Sequence, residues 1–108
     1  ACACVNVTCE ITFPGGVIPA AVYDEDLVDQ VRKTIGEVLG EDKVAKDCGG
    51  GGEDFHYFKQ KKPELHAAYI GVGTGVTPGL HDPRMTMNPE SLRNGVKVLE
   101  RLILNVVG

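Results

Sequence analysis

The first thirteen residues, ACACVNVTCEITF, alternate with a period of two: Ala1, Ala3, Val5, Val7, Cys9, Ile11 and Phe13 share one face, and Cys2, Cys4, Asn6, Thr8, Glu10 and Thr12 the other. Side chains alternate across a strand, so this pattern predicts a half-buried β-strand. No second run of similar character follows within hairpin distance, which leaves the strand without a neighbour close by in sequence. PGGVIPAAV, from Pro14 to Val22, breaks the pattern with two prolines and two glycines and reads as a connector. Beyond it the apolar positions change to a helical period. Asp24 is placed to cap a helix carrying Leu27, Val31, Ile35, Val38 and Leu39 on one face and stopped by Gly40.

Val44 and Ala45 offer at most a short strand, and EDFHYFKQKK reads as a short helix ended by Pro63. LHAAYIGVG, Leu65 to Gly73, has the composition of a buried strand, and TGVTPGLHDPR that of a turn-rich loop. A last helix has Asn88 as cap, Pro89 in its first turn, and Leu92, Val96, Leu99, Ile103 and Val106 along one stripe. Strand, helix, strand, helix, strand, loop, helix is the order of an α/β arrangement. No internal repeat is present.

Charge and composition narrow the function classes. A net charge of -4, from 11 basic and 15 acidic residues, gives no electrostatic footprint for nucleic acid or for an anionic membrane surface. The apolar runs fall short of the roughly twenty residues that a membrane span needs, and no signal-peptide pattern opens the chain. A cytoplasmic address is the default expectation. Cys2, Cys4, Cys9 and Cys48 contain no Cys-x-x-Cys pair, and Cys2 and Cys4 would point the same way from a strand, which is poor disulfide geometry. Cys9 faces the other side of that strand, so three of the thiols cannot converge on a metal without breaking it. Structural, reduced thiols are expected.

Gly49 to Gly52 are four consecutive residues without side chains, followed by Glu53 and Asp54. Glycines leading into a helix often cradle an anion. Here the loop lacks the Lys-Ser/Thr pair of a phosphate loop, and two carboxylates would repel the ligand. GVGTGV, from Gly71 to Val76, fails as a dinucleotide fingerprint because Val76 stands where the third glycine should be and Pro78 follows. Acids in a first helical turn also have an ordinary role in complementing the helix dipole. His81, in GLHDPRMTM, is the candidate metal ligand: an imidazole in a turn-rich loop, with Asp82 beside it as a carboxylate able to orient the ring, although a lone loop histidine is more often solvated than ligating.

GGEDFHYF at 51 to 58, GVG at 71 to 73 and LHDPRMTMNPESLRNGVKVLERL at 80 to 102 together resemble the C-terminal part of the metal-dependent amidohydrolases of the aminoacylase and carboxypeptidase family. The branch they resemble holds hippurate hydrolases, N-acyl-amino acid amidohydrolases and auxin-conjugate hydrolases. The upstream FPGGVIPAAVYDEDLVDQVRKTIGEVLGED is similar to the return from that family's inserted lid through a hinge. The resemblance implies that residues 1–13 are the last strand of a lid or dimerisation domain, 14–23 a hinge connector, and 24–108 the C-terminal portion of an α/β, zinc-peptidase-like catalytic domain.

It further implies that His81 is a ligand in a centre of two divalent metal ions, zinc or manganese or cobalt, with Asp82 in its surroundings. Gly51, Gly52 and Glu53 would line the substrate cleft. Asp82 stands where the family has serine, and Met85 and Met87 where it has phenylalanine. The remaining metal ligands and the glutamate general base of relatives lie in segments upstream of anything in this sequence. One histidine cannot hold two metals; His56 and His66 are expected to be structural or solvated. The expectation is a fragment of a longer hydrolase that cleaves N-acyl or N-aroyl amino acids, inactive alone, completed by its missing N-terminal part and forming a homo-oligomer through the lid. The alternative is a non-catalytic module that assembles through an exposed strand edge.

Overall fold

The structure, a computed structural model, describes residues 7–13, 15–46 and 51–108. Between Asp24 and Gly40 the helical period folds as α1, Glu25–Leu39. Glu25 and Asp26 occupy its first turn, where negative charge complements the dipole. Gly40, at a φ of 104°, ends it, and its N–H donates to the Gly36 carbonyl at 2.9 Å. The expected cap at Asp24 differs in kind. Asp24 stands at the capping position but its side chain does not cap; the carboxylate is drawn to partners elsewhere in the chain.

A 3-10 turn at Glu41–Lys43 follows α1, and α2 spans only His56–Lys61. Glu53 and Asp54 therefore precede this helix instead of forming its first turn. Their carbonyls accept from the N–H groups of His56 and Tyr57, both at 3.1 Å. The last helix, α3, covers Leu92–Val107 after a 3-10 turn at Pro89–Ser91. Asn88 caps that turn as expected, its side-chain oxygen accepting from Glu90 N–H at 3.1 Å, with Pro89 in the first position.

No strand forms among the described residues. Residues 7–13 and 65–73, both expected as strands, lack regular structure, as do Val44 and Ala45. A ladder requires a neighbour, and the described backbone forms a single isolated antiparallel bridge, Thr77 with Thr86. Residues 1–6, with Cys2 and Cys4, lie outside the described residues, as do Cys48, Gly49 and Gly50. Of the alternating face, Val7, Ile11 and Phe13 are exposed.

α3 packs on α1. Val31 and Val98 are buried, and Thr34, 1% exposed, donates its hydroxyl to the Gln30 carbonyl at 2.8 Å and accepts from the Asn105 amide at 3.4 Å. A Cβ on Gly95 would lie 2.9 Å from Val72 Cγ2, so glycine is what lets the 68–73 segment approach α3. The buried edge of α3 thus runs through Gly95 and Val98. The expected stripe of Leu92, Val96, Leu99, Ile103 and Val106 is exposed, Val96 at 65%, with Leu99 at the rim of the groove between the helices.

The molecule is open in shape. Its radius of gyration is 19.2 Å, where a compact chain of this length has about 13 Å. Its accessible surface is 8934 Å², against about 5,800 Å² for a compact monomer of this mass. No described helix is long and apolar enough to cross a membrane.

Candidate functional site

His81 lies in a loop that builds itself. Thr77 and Thr86 exchange both backbone hydrogen bonds, at 3.1 and 2.9 Å, and close residues 78–85 between them. Two turns follow one another inside. Asp82 N–H reaches the Gly79 carbonyl at 3.4 Å, and Met85 N–H the Asp82 carbonyl at 2.9 Å. The second turn has aspartate first and proline next, the residues such turns favour. In the first turn His81 takes the third position with a φ of 68°. That is the left-handed region, which a type II turn demands there and which histidine, asparagine and aspartate visit more readily than other side chains. The imidazole is exposed.

Asp82 is engaged with Arg84. Its Oδ1 accepts from Arg84 N–H at 2.8 Å and from Nε at 3.1 Å, and its Oδ2 accepts from Nη2 at 3.0 Å. The guanidinium and backbone N–H of Arg84 hold the carboxyl below its ordinary value, and the carboxylate in turn raises the guanidinium. A carboxylate has further lone pairs, so this grip leaves Asp82 some acceptor capacity.

The glycine loop is built by the opposite means, through residues distant in sequence. Gly51 has open space where a Cβ would stand, whereas a Cβ on Gly52 would lie 2.8 Å from Ile18 Cγ2. Glu53 is exposed at the entry to α2. Tyr57 donates its hydroxyl to the Val17 carbonyl at 2.5 Å. Lys59 Nζ donates to both oxygens of Asp24, at 2.8 Å each, and to the Leu65 carbonyl at 3.0 Å. Asp24 Oδ2 also accepts from Ala67 N–H at 2.7 Å, and Asp24 N–H donates to the Ala67 carbonyl at 3.0 Å. Lys59 first, and then Ala67 N–H, lower the Asp24 carboxyl below its ordinary value. This clasp joins α1, α2 and the 65–67 segment.

His56 is buried, in a cluster of rings. Its centroid lies 5.7 Å from Tyr23 and 6.0 Å from Tyr69, both edge-on, and Phe55 stands 5.8 Å from Tyr69. Its Nδ1 is buried with no hydrogen-bond partner. His66 is exposed, its Nδ1 3.7 Å from Asp24 Oδ1.

The structure joins the expected site residues in two groups, Gly51, Gly52 and Glu53 on one loop and His81 with Asp82 on the other. No hydrogen bond or ion pair links the two loops among the described residues. An apolar groove of about 670 Å³ lies elsewhere, between α1, residues 68–73 and α3, lined by Val31, Ile35, Tyr69, Val72 and Val98. No group of three or more His, Cys, Asp or Glu side chains able to hold a metal occurs among the described residues. His81 fits one donor position, and these residues do not make a metal centre.

The sequence reading missed Ile18, Tyr57, Lys59 and Arg84. For Arg84 a signal existed, because Asp-Pro-x favours a turn in which the aspartate side chain accepts from the N–H two residues on. The others act over 34 to 40 positions and carry no local signature.

A profile described as peptidase family M20/M25/M40 matches residues 2–105. No curated protein and no solved structure matches the chain. The chain belongs to the M20/M25/M40 peptidase family, whose members are metal-dependent hydrolases.

Proposed function

From that membership we propose that the chain is part of an amidohydrolase that cleaves N-acyl or N-aroyl amino acids of the hippurate type. His81 gives one imidazole nitrogen to a metal centre whose other donors, with the general base, come from polypeptide outside this sequence. Gly51, Gly52 and Glu53 line the cleft, and Asp82, steadied by Arg84, stands beside the His81 ring. Two divalent ions, zinc or manganese or cobalt, would polarise the amide carbonyl and supply the activated water. Residues 24–108 belong to an α/β catalytic domain, 14–23 to a hinge, and 1–13 to the last strand of a lid through which the enzyme forms a homo-oligomer. What supports the α/β reading is that α1 and α3 lie together beside the 68–73 segment, on the side where helices would cover a sheet if that segment paired with strands from elsewhere.

The conformation of His81 carries the site reading. A histidine held at positive φ on a loop braced from both ends has a fixed Cα–Cβ direction, and backbone in this region costs free energy that active sites are known to store. The test is His81→Ala in the complete enzyme, with metal content and hippurate hydrolysis measured together. Bound metal is expected to fall and turnover to drop by more than about a hundredfold, since a metal contributes several kcal/mol to such a reaction. Unchanged metal content and turnover would remove His81 from the centre.

A further inference from the structure

Two adjacent glycines, Gly51 and Gly52, differ in what surrounds them. Gly51 has nothing within 4 Å of the place a Cβ would occupy. At Gly52 that place is taken: Ile18 Cγ2 would be 2.8 Å away, and its Cβ and Cδ1 3.3 Å. Carbon atoms settle at about 3.5–4.0 Å, so only glycine admits Ile18 at this distance. The demand for a small residue at 52 therefore comes from the connector of this same chain. One residue before Ile18, the Val17 carbonyl accepts the Tyr57 hydroxyl at 2.5 Å. Just beyond the far end of the connector, Asp24 is bound by Lys59 of α2. The short α2 is thus tied to both ends of residues 17–24, and Gly52 sits against Ile18, beside the first of these ties.

We propose that residues 15–22 act as a strut that positions the Gly51–Glu53 loop, with Ile18 seated on Gly52 and Tyr57 fastening Val17. Ile18, Gly52 and Tyr57 are positioning residues: they place Glu53 without touching substrate. Ile18 fills the space beside Gly52, which opposes approach of the two segments, and the Tyr57–Val17 hydrogen bond opposes their separation, so a shift of the connector is passed to the loop. Glu53 is the next residue along. Its position at the cleft edge, which rests on the reading of 14–23 as a hinge and of Gly51–Glu53 as cleft lining, is then set by the segment that joins the two domains.

The experiment uses the complete enzyme and compares Gly52→Ala, Ile18→Ala, the double variant and Tyr57→Phe. Elastase cleavage within 15–22 and amide exchange at 56–58, whose N–H groups are hydrogen-bonded, are followed beside metal content, kcat and KM for hippurate. Gly52→Ala is expected to speed both cleavage and exchange about tenfold, as loss of more than one ordinary contact would. KM should rise with kcat within about twofold and metal content unchanged, the signature of lost positioning at the cleft. Ile18→Ala removes Cγ2 and Cδ1, so the double variant should return exchange, cleavage and KM most of the way to the parent values. Tyr57→Phe should speed cleavage within 15–22 about fivefold, the ratio that one hydrogen bond of ordinary strength supports.

A double variant no better than Gly52→Ala would overturn the strut, because Gly52 would then be small for a ligand. So would a Gly52→Ala variant that leaves elastase cleavage within 15–22 untouched. If the parent enzyme does not hydrolyse hippurate at all, the amidohydrolase assignment fails by itself, and the cleavage and exchange pattern still decides the strut.

Discussion

The loop that carries His81 and the loop that carries Glu53 are held by bonds of opposite range. Every fastening of the first, Thr77 to Thr86, Gly79 to Asp82, Asp82 to Arg84 and Met85, lies within ten residues of chain. The second has local turns at Glu53–His56 and Asp54–Tyr57, but its other fastenings come from Ile18, Val17 and Asp24, 34 or more positions away. The first loop will keep its shape wherever its short segment is closed. The placement of the second depends also on the connector and α1. A ligand bound by both would join one preset element and one that reports on the rest of the fold.

The sharpest way to break this contrast is at His81 itself. His81→Gly and His81→Ala should both abolish turnover by the margin given above. Glycine should leave the protein about 1 kcal/mol more stable than alanine, because alanine inherits the positive φ and glycine is at ease there. Thermal melting of the two variants separates backbone from imidazole, and equal stabilities would mean the loop relaxes.

Lys59→Met comes next. It strips the ammonium from Asp24 and from the Leu65 carbonyl, so amide exchange should rise several-fold across 51–67 and stay within twofold of the parent at 77–86. A rise in both segments would show that the His81 loop is not self-contained.

Acid should affect both loops, through different carboxylates. Asp24 and Asp82 are each held below the ordinary value of 3.8. A carboxyl with a depressed folded value binds protons less readily when folded than when unfolded. Its stabilisation is therefore complete above pH 3.8 and fades as pH falls through the lower folded value. Asp24→Asn should remove the acid-dependent loosening at 59–67 and leave that at 82–85 unchanged, as followed by exchange between pH 2 and 5. The smallest effect is expected from Arg84→Ala. The backbone N–H of residue 84 still meets Asp82, so the melting temperature should hold, and only the side-chain share of the Asp82 grip is lost.

The same difference in range decides what the sequence could disclose. α1 was legible because its apolar period, its entry at Asp24 and its stop at Gly40 are local signals. The capped start at Asn88 and Pro89 was legible for the same reason. Periodicity identified α3 as a helix with Leu92, Val96, Leu99, Ile103 and Val106 along one stripe; these are exposed, and Gly95 and Val98 lie at the contact. A stripe shows where the apolar side chains are; which edge is covered depends on the neighbour, and a glycine admits one closely. The strands expected at 7–13 and 65–73 have the composition of strands but, among the described residues, no ladder to belong to. His81 and Asp82 stood out as chemistry in a turn-rich loop, but the positive φ at 81 and the Asp82–Arg84 grip were not read from the sequence. The role of Asp24 did not, since a residue that looks like a helix cap spends its side chain on Lys59 and Ala67.

The left-handed backbone at position 81 restricts what chemistry could ever be installed there. Besides glycine, the amino acids that tolerate this torsion best are asparagine, aspartate and histidine. Aspartate could therefore replace the imidazole with an anionic oxygen donor on an unchanged main chain, while cysteine or glutamate would have to bear the torsional penalty. Any attempt to retune this position for a different ion starts from an alphabet of three letters.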